Sequence, residues 1–317
     1  MRDVYICSYS RTPIGAFQGS LSSLAATKLG SITIKSTLEN VNANFSNIDE
    51  VIMGNVLSAG LGQAPARQAS IGAGLDNKTE CMTINKVCGS GLKSIMLADQ
   101  SIKSMNSESV VAGGMENMSL APYYAMNARK GKAFGHDSFI DSIVHDGLYD
   151  PYNNFLMGKC AEKLCLENNY SRQKQDEYAI QSYERSNFAI ENGLEIFGRI
   201  KSIAVEGCDP KFMGLGPISA SKKALNRAKL RIEDIDIIEL NEAFASQSLA
   251  CIKDLKINTK KVNLDGGAIA LGHPLGATGA RITGKAAQLL KRENKKFALS
   301  TQCIGLGMGI ATIIESI

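Results

Sequence analysis

The sequence contains no tryptophan, only three histidines and no apolar run long enough to cross a membrane. Aromatic residues make up 6% of the chain, so it lacks the aromatic platforms on which nucleic-acid bases stack. The net charge of +4, from 35 basic and 31 acidic residues, is too small to indicate a nucleic-acid partner. We therefore expect a protein that binds neither nucleic acid nor a membrane.

The eight cysteines do not follow the pattern of a disulfide framework or of a metal site. They have no tight spacing, and the sequence has no CxxC pair and no cluster of histidine and cysteine ligands. Free thiols in a reducing compartment are the simpler interpretation for most of them. A strand-like run at residues 4–7 begins directly after the start of the sequence, which leaves no room for a targeting peptide. We expect a cytoplasmic protein.

Strand-like and helix-like patterns alternate along the chain, which predicts a layered α/β fold. In the first half, strands are predicted near 3–8, 49–55, 81–87 and 108–113, and helices near 22–40, 65–74 and 90–104. A polar stretch of loops follows from about 118 to 150, and then come helices near 156–168 and 172–192, the second capped by Ser171 and ended by Gly193. In the second half, strands are predicted near 199–206, 235–240, 261–264, 296–302 and 308–315, and helices near 219–229, 242–254 and 277–293.

The two halves resemble each other weakly. Each contains a strand–helix–strand–helix run that reaches a cysteine-containing turn with glycines close by. Two copies of a duplicated unit could pack face to face and bring both turns to one shared centre. The sequence alone leaves this duplication open.

Cys88 lies between an apolar strand-like run and a helix predicted to begin near Ser90. Backbone N–H groups at a helix N-terminus stabilise negative charge, so we expect them to lower the pKa of this thiol. Gly89 and Gly91 allow a sharp turn and the close approach of a substrate carbonyl. These features indicate an activated nucleophile, although a small residue packed at a strand–helix corner would give the same pattern.

Three further residues complete a possible reaction centre. His273 lies between glycines on a tight loop before a helix, Cys303 ends a strand shortly before Gly305, and Asn241 follows an apolar strand. Each has a structural alternative, namely a loop histidine, a buried cysteine in a hairpin turn and a helix N-cap. Two thiols, one imidazole and one carboxamide are the groups needed for acyl transfer through a covalent thioester.

Seven segments in the same order along the chain resemble the motifs of the thiolase family, in particular its biosynthetic acetyl-CoA acetyltransferases. This resemblance implies a duplicated fold with α-β-α-β-α layers and mixed sheets. The matching segments are residues 11–15, 62–68, 82–93, 112–116, 241–244, 263–281 and 303–309.

The resemblance also implies a role for each candidate residue. Cys88 takes an acetyl group from acetyl-CoA, while His273 accepts its proton and then donates a hydrogen bond to a thioester oxygen. Cys303 is the general base on the second acetyl-CoA and the general acid toward the departing CoA thiol. Asn241 holds a water that forms one oxyanion hole with His273. The N–H groups of Cys88 and Gly305 form the other.

The implied product is acetoacetyl-CoA, and thiolysis is the reverse reaction. Coenzyme A thioesters are substrates here, so no separate cofactor and no metal ion is implied. Five positions of this sequence correspond to the family's pocket for the acyl group and pantetheine. Ordinary core packing would also explain the residues at these positions. A histidine common before Met157 is replaced here by Leu156, which removes a polar contact to pantetheine. The pocket positions are Leu148, Met157, Met213, Ala243 and Phe244.

The chain departs from the family pattern after about residue 193. Thiolases continue there for several tens of residues, which complete the CoA-binding loops and supply the last strand and helix of the first half. We therefore expect the strand near 108–113 to lose a neighbour and expose its backbone groups. The expected division is a first half at 1–117, a shortened loop and CoA-binding region at 118–198, and a second half at 199–317.

Other functions stay open at this point. The shortened chain could be a catalytically impaired homologue that binds coenzyme A or has no activity. Ketoacyl synthases share the fold but pair one cysteine with two histidines, whereas only His273 lies in a suitable motif here. The family resemblance implies a homodimer or a homotetramer.

Overall fold

The computed structural model describes residues 2–190 and 198–317, apart from the side chains of 186–190. The strands are β1 (Tyr5–Ile6), β2 (Glu50–Gly54), β3 (Glu80–Ile84), β4 (Val110–Gly114), β5 (Tyr123–Tyr124), β6 (Ile140–Asp141), β7 (Tyr149–Asp150), β8 (Phe155–Leu156), β9 (Gly198–Gly207), β10 (Ile237–Leu240), β11 (Phe297–Ile304) and β12 (Met308–Glu315). The α-helices are α1 (Ala26–Glu39), α2 (Pro65–Ala73), α3 (Ser90–Lys103), α4 (Met157–Asn168), α5 (Arg172–Ile190), α6 (Gly216–Ala228), α7 (Ala245–Asp254), α8 (Ala268–Leu271) and α9 (Thr278–Arg292).

The first half contains a three-stranded parallel sheet in the order β3-β2-β4. Helices α1 and α2 cover one side with an apolar cluster that includes Ile34, Val51 and Ala69. Within the described residues, β4 bonds to β2 along one edge and to no strand along the other. In the part of the chain that the structure describes, β4 is therefore an edge strand.

The second half contains a five-stranded mixed sheet in the order β1-β9-β12-β11-β10. Only β10 and β11 are parallel neighbours; the other pairs are antiparallel. The N-terminal strand was predicted for the first half, but Tyr5 and Ile6 pair with β9 of the second. The strand predicted near 261–264 is reduced to a single bridge between Ile238 and Val262.

Two aspartates reveal the duplication directly. Oδ2 of Asp49 accepts hydrogen bonds of 2.8 and 3.0 Å from the two backbone N–H groups just before β4. Oδ2 of Asp236 accepts bonds of 3.0 and 3.1 Å from the two N–H groups at the start of β11. Asp49 directly precedes β2 and Asp236 directly precedes β10, so β2 corresponds to β10, and β4 corresponds to β11.

The halves meet where α3 and α9 cross at two glycines. A Cβ atom on Gly91 would lie 2.8 Å from the backbone N of Ala280, and one on Gly279 would lie 2.1 Å from the backbone N of Leu92. Both distances are shorter than a side chain tolerates, so glycine is required at this crossing. The predicted face-to-face packing of the two halves is confirmed.

Local sequence signals placed most helix ends correctly. Pro65 begins α2, and Gly74 ends that helix with a φ of 93°. The Ser171 hydroxyl accepts a bond of 3.1 Å from the N–H of Lys174, which confirms it as the cap of α5. The predicted end of that helix at Gly193 lies outside the described residues. The polar stretch from 118 to 150 is mostly loop but also holds the short strands β5 and β6 and a turn of π-helix at Ile143–Leu148.

Candidate active site

Cys88 lies on a strained turn between β3 and α3. The preceding residue, Val87, has a φ of 45°, in the left-handed region that β-branched residues avoid. The side chain of Asn85 supports this turn, because its Oδ1 accepts a 2.9 Å hydrogen bond from the N–H of Val87. Strain of this kind persists only where surrounding contacts enforce it, and it is concentrated at functional sites.

The pKa of the Cys88 thiol is raised to about 11 by burial. Hydrogen bonds from the backbone N–H groups of Gly305 and of Cys88 itself act in the opposite direction but do not overcome desolvation. The backbone N–H groups act in the expected direction, but burial outweighs them, so the net shift of this pKa is upward. The thiol is protonated at neutral pH and needs a base to become a nucleophile.

Cys303 lies within β11 and pairs with Gly309 in the β11–β12 hairpin. The strand was predicted to end just before this residue, but it continues to Ile304. Burial, with the nearby Cys88 as the next cause, raises the pKa of the Cys303 thiol well above its ordinary value. The neighbouring Gln302 joins the two segments, since its Nε2 donates a hydrogen bond to the backbone oxygen of Cys88.

The His273 ring is held by Thr278. Nδ1 lies 2.7 Å from Oγ1 of Thr278, and the Thr278 hydroxyl donates its proton to the backbone oxygen of Pro274 at 2.9 Å. The hydroxyl can then only accept from Nδ1–H, which leaves the lone pair on Nε2. Burial, followed by the positive charge of Arg281, lowers the pKa of His273 to about 4. The ring is therefore a neutral base at physiological pH.

Asn241 contacts this ring. Its Nδ2 lies 3.4 Å from Nε2 of His273, and its backbone N–H donates a 3.0 Å bond to the oxygen of Thr301. The structural alternative of a helix N-cap is excluded, because α7 begins only at Ala245 and follows Phe244. The side chain is fully buried, and its Oδ1 has no hydrogen-bond partner among the described residues. A buried acceptor without a partner is costly, so this oxygen favours the binding of a hydrogen-bond donor at the site.

Glu116 is a site residue for which the sequence had suggested no role. Its two oxygens accept bonds from the backbone N–H groups of Val56, Leu57 and Gly276 at 3.1, 3.1 and 2.9 Å, and from the Asn55 amide at 2.8 Å. Burial raises its pKa to about 7. The signal available in the sequence was a glutamate close to the glycines that end a strand. Glu116 also lies in one of the segments that resemble thiolase motifs, residues 112–116. Thr278 and Gln302 were also missed.

An apolar cluster of packed side chains surrounds Cys303. Four of the five predicted pocket residues lie in the same cluster as this thiol, together with Phe155 and Cys160, which the sequence had not indicated. Leu148 is half-buried in the π-helical turn and is not a member of the cluster. The four residues that pack with Cys303 are Met157, Met213, Ala243 and Phe244.

Two further features of the described residues bear on function. They contain no group of three or more side chains that could hold a metal ion. In the same ranges, no helix is long and apolar enough to span a bilayer. A cavity of about 860 Å³ lies beside β4; His273 lines it, but neither Cys88, Cys303 nor Asn241 does.

The chain matches two family models. Residues 4–199 match the model described as "Thiolase, N-terminal domain", and residues 194–316 match "Thiolase, C-terminal domain". The two matches overlap at residues 194–199, directly after the point where the sequence predicts a shortened chain.

Similar proteins extend along almost the whole chain. An acetyl-CoA acetyltransferase of Cupriavidus necator is 39% identical over 99% of this chain and 100% of its own length. One from Escherichia coli is 40% identical over 99% of each chain, and acetyl-CoA acetyltransferase 2 of Arabidopsis thaliana is 39% identical over 99% of this chain and 97% of its own. These alignments extend over 391 or 392 residues, whereas the chain has 317, so they contain gaps opposite this chain. Because both family models and these relatives together account for nearly every residue, the chain belongs to the thiolase family.

Proposed function

We propose that this protein is an acetyl-CoA acetyltransferase, which condenses two molecules of acetyl-CoA to acetoacetyl-CoA and catalyses the reverse thiolysis. The observation that carries the proposal is the neutral ring of His273, whose Nε2 carries the lone pair 3.4 Å from the Asn241 amide nitrogen, in a site with two buried, protonated thiols. The similar proteins from Cupriavidus necator, Arabidopsis thaliana and Escherichia coli are named acetyl-CoA acetyltransferases, which supports the same reaction.

In the first half-reaction, Cys88 forms a thioester bond to the acetyl carbon of the first acetyl-CoA. Nε2 of His273 accepts the thiol proton, which the raised pKa of Cys88 makes necessary. The bond between the acetyl carbon and the CoA sulfur breaks, and Cys303 protonates the departing thiolate. The N–H groups of Cys88 and Gly305 stabilise the oxyanion; the N–H of Gly305 already bonds to the Cys88 sulfur in the free protein.

In the second half-reaction, the Cys303 thiolate removes a proton from the α-carbon of a second acetyl-CoA. The resulting carbanion attacks the acetyl group on Cys88 and forms the new carbon–carbon bond. The protonated Nε2 of His273 donates to the thioester oxygen, together with a water held by Asn241, whose free Oδ1 supports that role. The Cys88 thiolate then leaves and recovers its proton from His273, which restores the starting state.

We propose that the apolar cluster around Cys303 forms the pocket that binds the acyl group and the pantetheine arm. Met157, Met213, Ala243 and Phe244 pack with Cys303, the residue that must meet the α-carbon. Leu148 is proposed to complete this pocket once a substrate is bound. No metal ion or prosthetic group takes part in this scheme.

We further propose that the chain has three parts, with a shortened loop region at 118–198 between halves at 1–117 and 199–317. We also propose that the protein is a cytoplasmic homodimer or homotetramer and that it acts in lipid metabolism. The eight cysteines, all of them free thiols, support a reducing compartment.

The first half-reaction can be tested by mass spectrometry after the protein is mixed with acetyl-CoA. We expect one added acetyl group on the peptide that contains Cys88, and thiolysis of acetoacetyl-CoA at a rate well above that of Cys88→Ala. Cys7→Ala is the matched control, because this thiol is exposed and follows β1, so its loss should leave both results unchanged. A folded protein without acetylation and no faster than Cys88→Ala would support the alternative of an impaired, CoA-binding homologue.

A further inference from the structure

The cavity beside β4 lies between helices α1 and α3. Its volume is about 860 Å³, within the range of binding pockets for small molecules or short segments. Helix α1 contributes Leu29 and Thr33 to one wall, and α3 contributes Ile95 and Ala98 to another. The whole of β4 forms a further wall. The cavity is therefore mostly apolar and bordered by an open sheet edge.

The open edge of β4 carries free backbone groups. The oxygen of Ser109 accepts from Asp49, and the N–H of Met115 donates to Gly54, so these residues bond toward β2. Neighbouring residues in a strand direct their N–H and C=O groups to opposite sides. The backbone groups of every second residue of β4 therefore face the cavity, and these residues are Val110, Ala112 and Gly114.

In the second half of the chain, a strand occupies the position that corresponds to this cavity. Its strand β11 corresponds to β4, because Val110 lies opposite the first residue of β2, as Ala298 lies opposite the first residue of β10. The outer edge of β11 is occupied by β12, antiparallel, from Ala298 with Ile314 to Gln302 with Ile310. Helices α6 and α9 contact β12 as α1 and α3 border the cavity. The cavity lies where the first half lacks an equivalent of β12.

We propose that this cavity binds one extended apolar segment of a separate polypeptide, which adds to β4 as an antiparallel strand. The segment must be apolar on both faces, because helices lie on both sides; β12 is buried from Gly309 to Ile314 for the same reason. Addition of a strand to an open edge is an established way of binding peptides, in which backbone bonds supply affinity and side-chain pockets supply specificity.

A buried arginine supports an incoming chain rather than an empty space. Arg281 lines the cavity and is only 6% exposed, and its Nε and Nη2 have no hydrogen-bond partner among the described residues. A buried guanidinium without acceptors is costly. A carbonyl or carboxylate oxygen of the bound segment would satisfy these donors.

A second copy of this chain is a poorer candidate for the occupant. Strands β5 to β8 have two residues each, which is too short to pair along β4. Strand β12 is bonded on both edges, to β11 and to β9. Another copy could therefore donate β12 only by partial unfolding.

The proposal can be tested with a synthetic peptide that has the sequence of Met308–Glu315, with lysines added at its ends for solubility and a fluorescent label. We expect saturable binding by fluorescence anisotropy and slower hydrogen exchange at Val110, Ala112 and Gly114. A peptide that carries Ile310→Pro and Thr312→Pro should bind at least about tenfold more weakly, because it lacks the donors toward β4. No coenzyme A compound is present, so the result is independent of the proposed enzymatic function.

A protein variant gives a second test. Thr33→Trp places a large side chain in the cavity and should also weaken binding about tenfold. Ile32→Trp is the matched control, since this neighbouring residue is 44% exposed and lies outside the cavity. Circular dichroism checks that both variants fold. The proposal is overturned if neither peptide binds, if the two peptides bind equally, or if exchange at β4 is unchanged. Concentration-dependent self-association that blocks the peptide would instead identify a second copy as the occupant.

Discussion

Oε2 of Glu116 accepts a 2.9 Å hydrogen bond from the backbone N–H of Gly276, although 160 residues separate the two. Glu116 follows the last strand of the first half, and Gly276 belongs to the loop that carries His273. The same carboxylate also binds the backbone just after β2. One buried side chain therefore holds the imidazole loop against the half that carries Cys88.

Replacement of this carboxylate should loosen the site. In Glu116→Gln the shape is kept, but an NH₂ group replaces an oxygen that accepts from backbone N–H groups. We expect a loss of about 1–3 kcal/mol in the free energy of unfolding, measured with urea, together with a reduced kcat. Glu108→Gln is the control, because this exposed side chain forms only a surface ion pair with Arg2. Equal stability of the two variants would contradict the role of Glu116.

Thr278 should matter for catalysis more than for stability. Thr278→Val removes the acceptor for Nδ1–H and leaves the tautomer of His273 undefined, so we expect kcat to fall about tenfold to a hundredfold. Thr278→Ser should restore most of the rate, since it keeps the hydroxyl. Thr283→Val provides the comparison: it also loses buried bonds, to Gly279 and Ser300, but lies away from the ring. A similar loss of kcat in both valine variants would argue against positioning of the imidazole.

The lowered pKa of His273 predicts how stability depends on pH. The folded protein binds this proton only near pH 4, whereas the unfolded chain binds it near 6.5. Stability from this group is therefore fully present above pH 6.5 and is lost as the pH falls toward 4, by up to about 3 kcal/mol. Urea unfolding at several pH values should show this slope in the wild type and less of it in His273→Gln. Parallel curves for the two proteins would refute the buried neutral ring.

The methionines around Cys303 should limit the length of the acyl chain. Met157 packs against this thiol, and its sulfur would lie 3.6 Å from a Cβ on Gly305. Met157→Ala should therefore raise kcat/KM for thiolysis of a six-carbon 3-ketoacyl-CoA relative to acetoacetyl-CoA, by about tenfold. Leu164→Ala is the control, because it creates a cavity beside the same helix but outside this cluster. It should destabilise the protein without changing the preference for acyl-chain length.

Local patterns in the sequence were sufficient for most elements. Alternating apolar runs and helix signals such as the cap Ser171 depend on neighbours a few residues away, so the strands and helices could be predicted closely. Three errors arose where distant contacts decide. Residues 5 and 6 pair with the other half, α7 begins at Ala245 instead of near 242, and β11 extends past Cys303 because β12 lies beside it.

The sequence by itself determined the α/β class, the motif order of a thiolase and which four side chains are candidates for the reaction, because these depend on residue type and short spacing. Only the tertiary structure decided the protonation states and the support of the site. Burial raises the pKa of Cys88 and lowers that of His273, and burial is a property of the packed chain. The anchoring by Glu116 and the open edge of β4 likewise depend on which segments meet after folding, since residues far apart in sequence make those contacts.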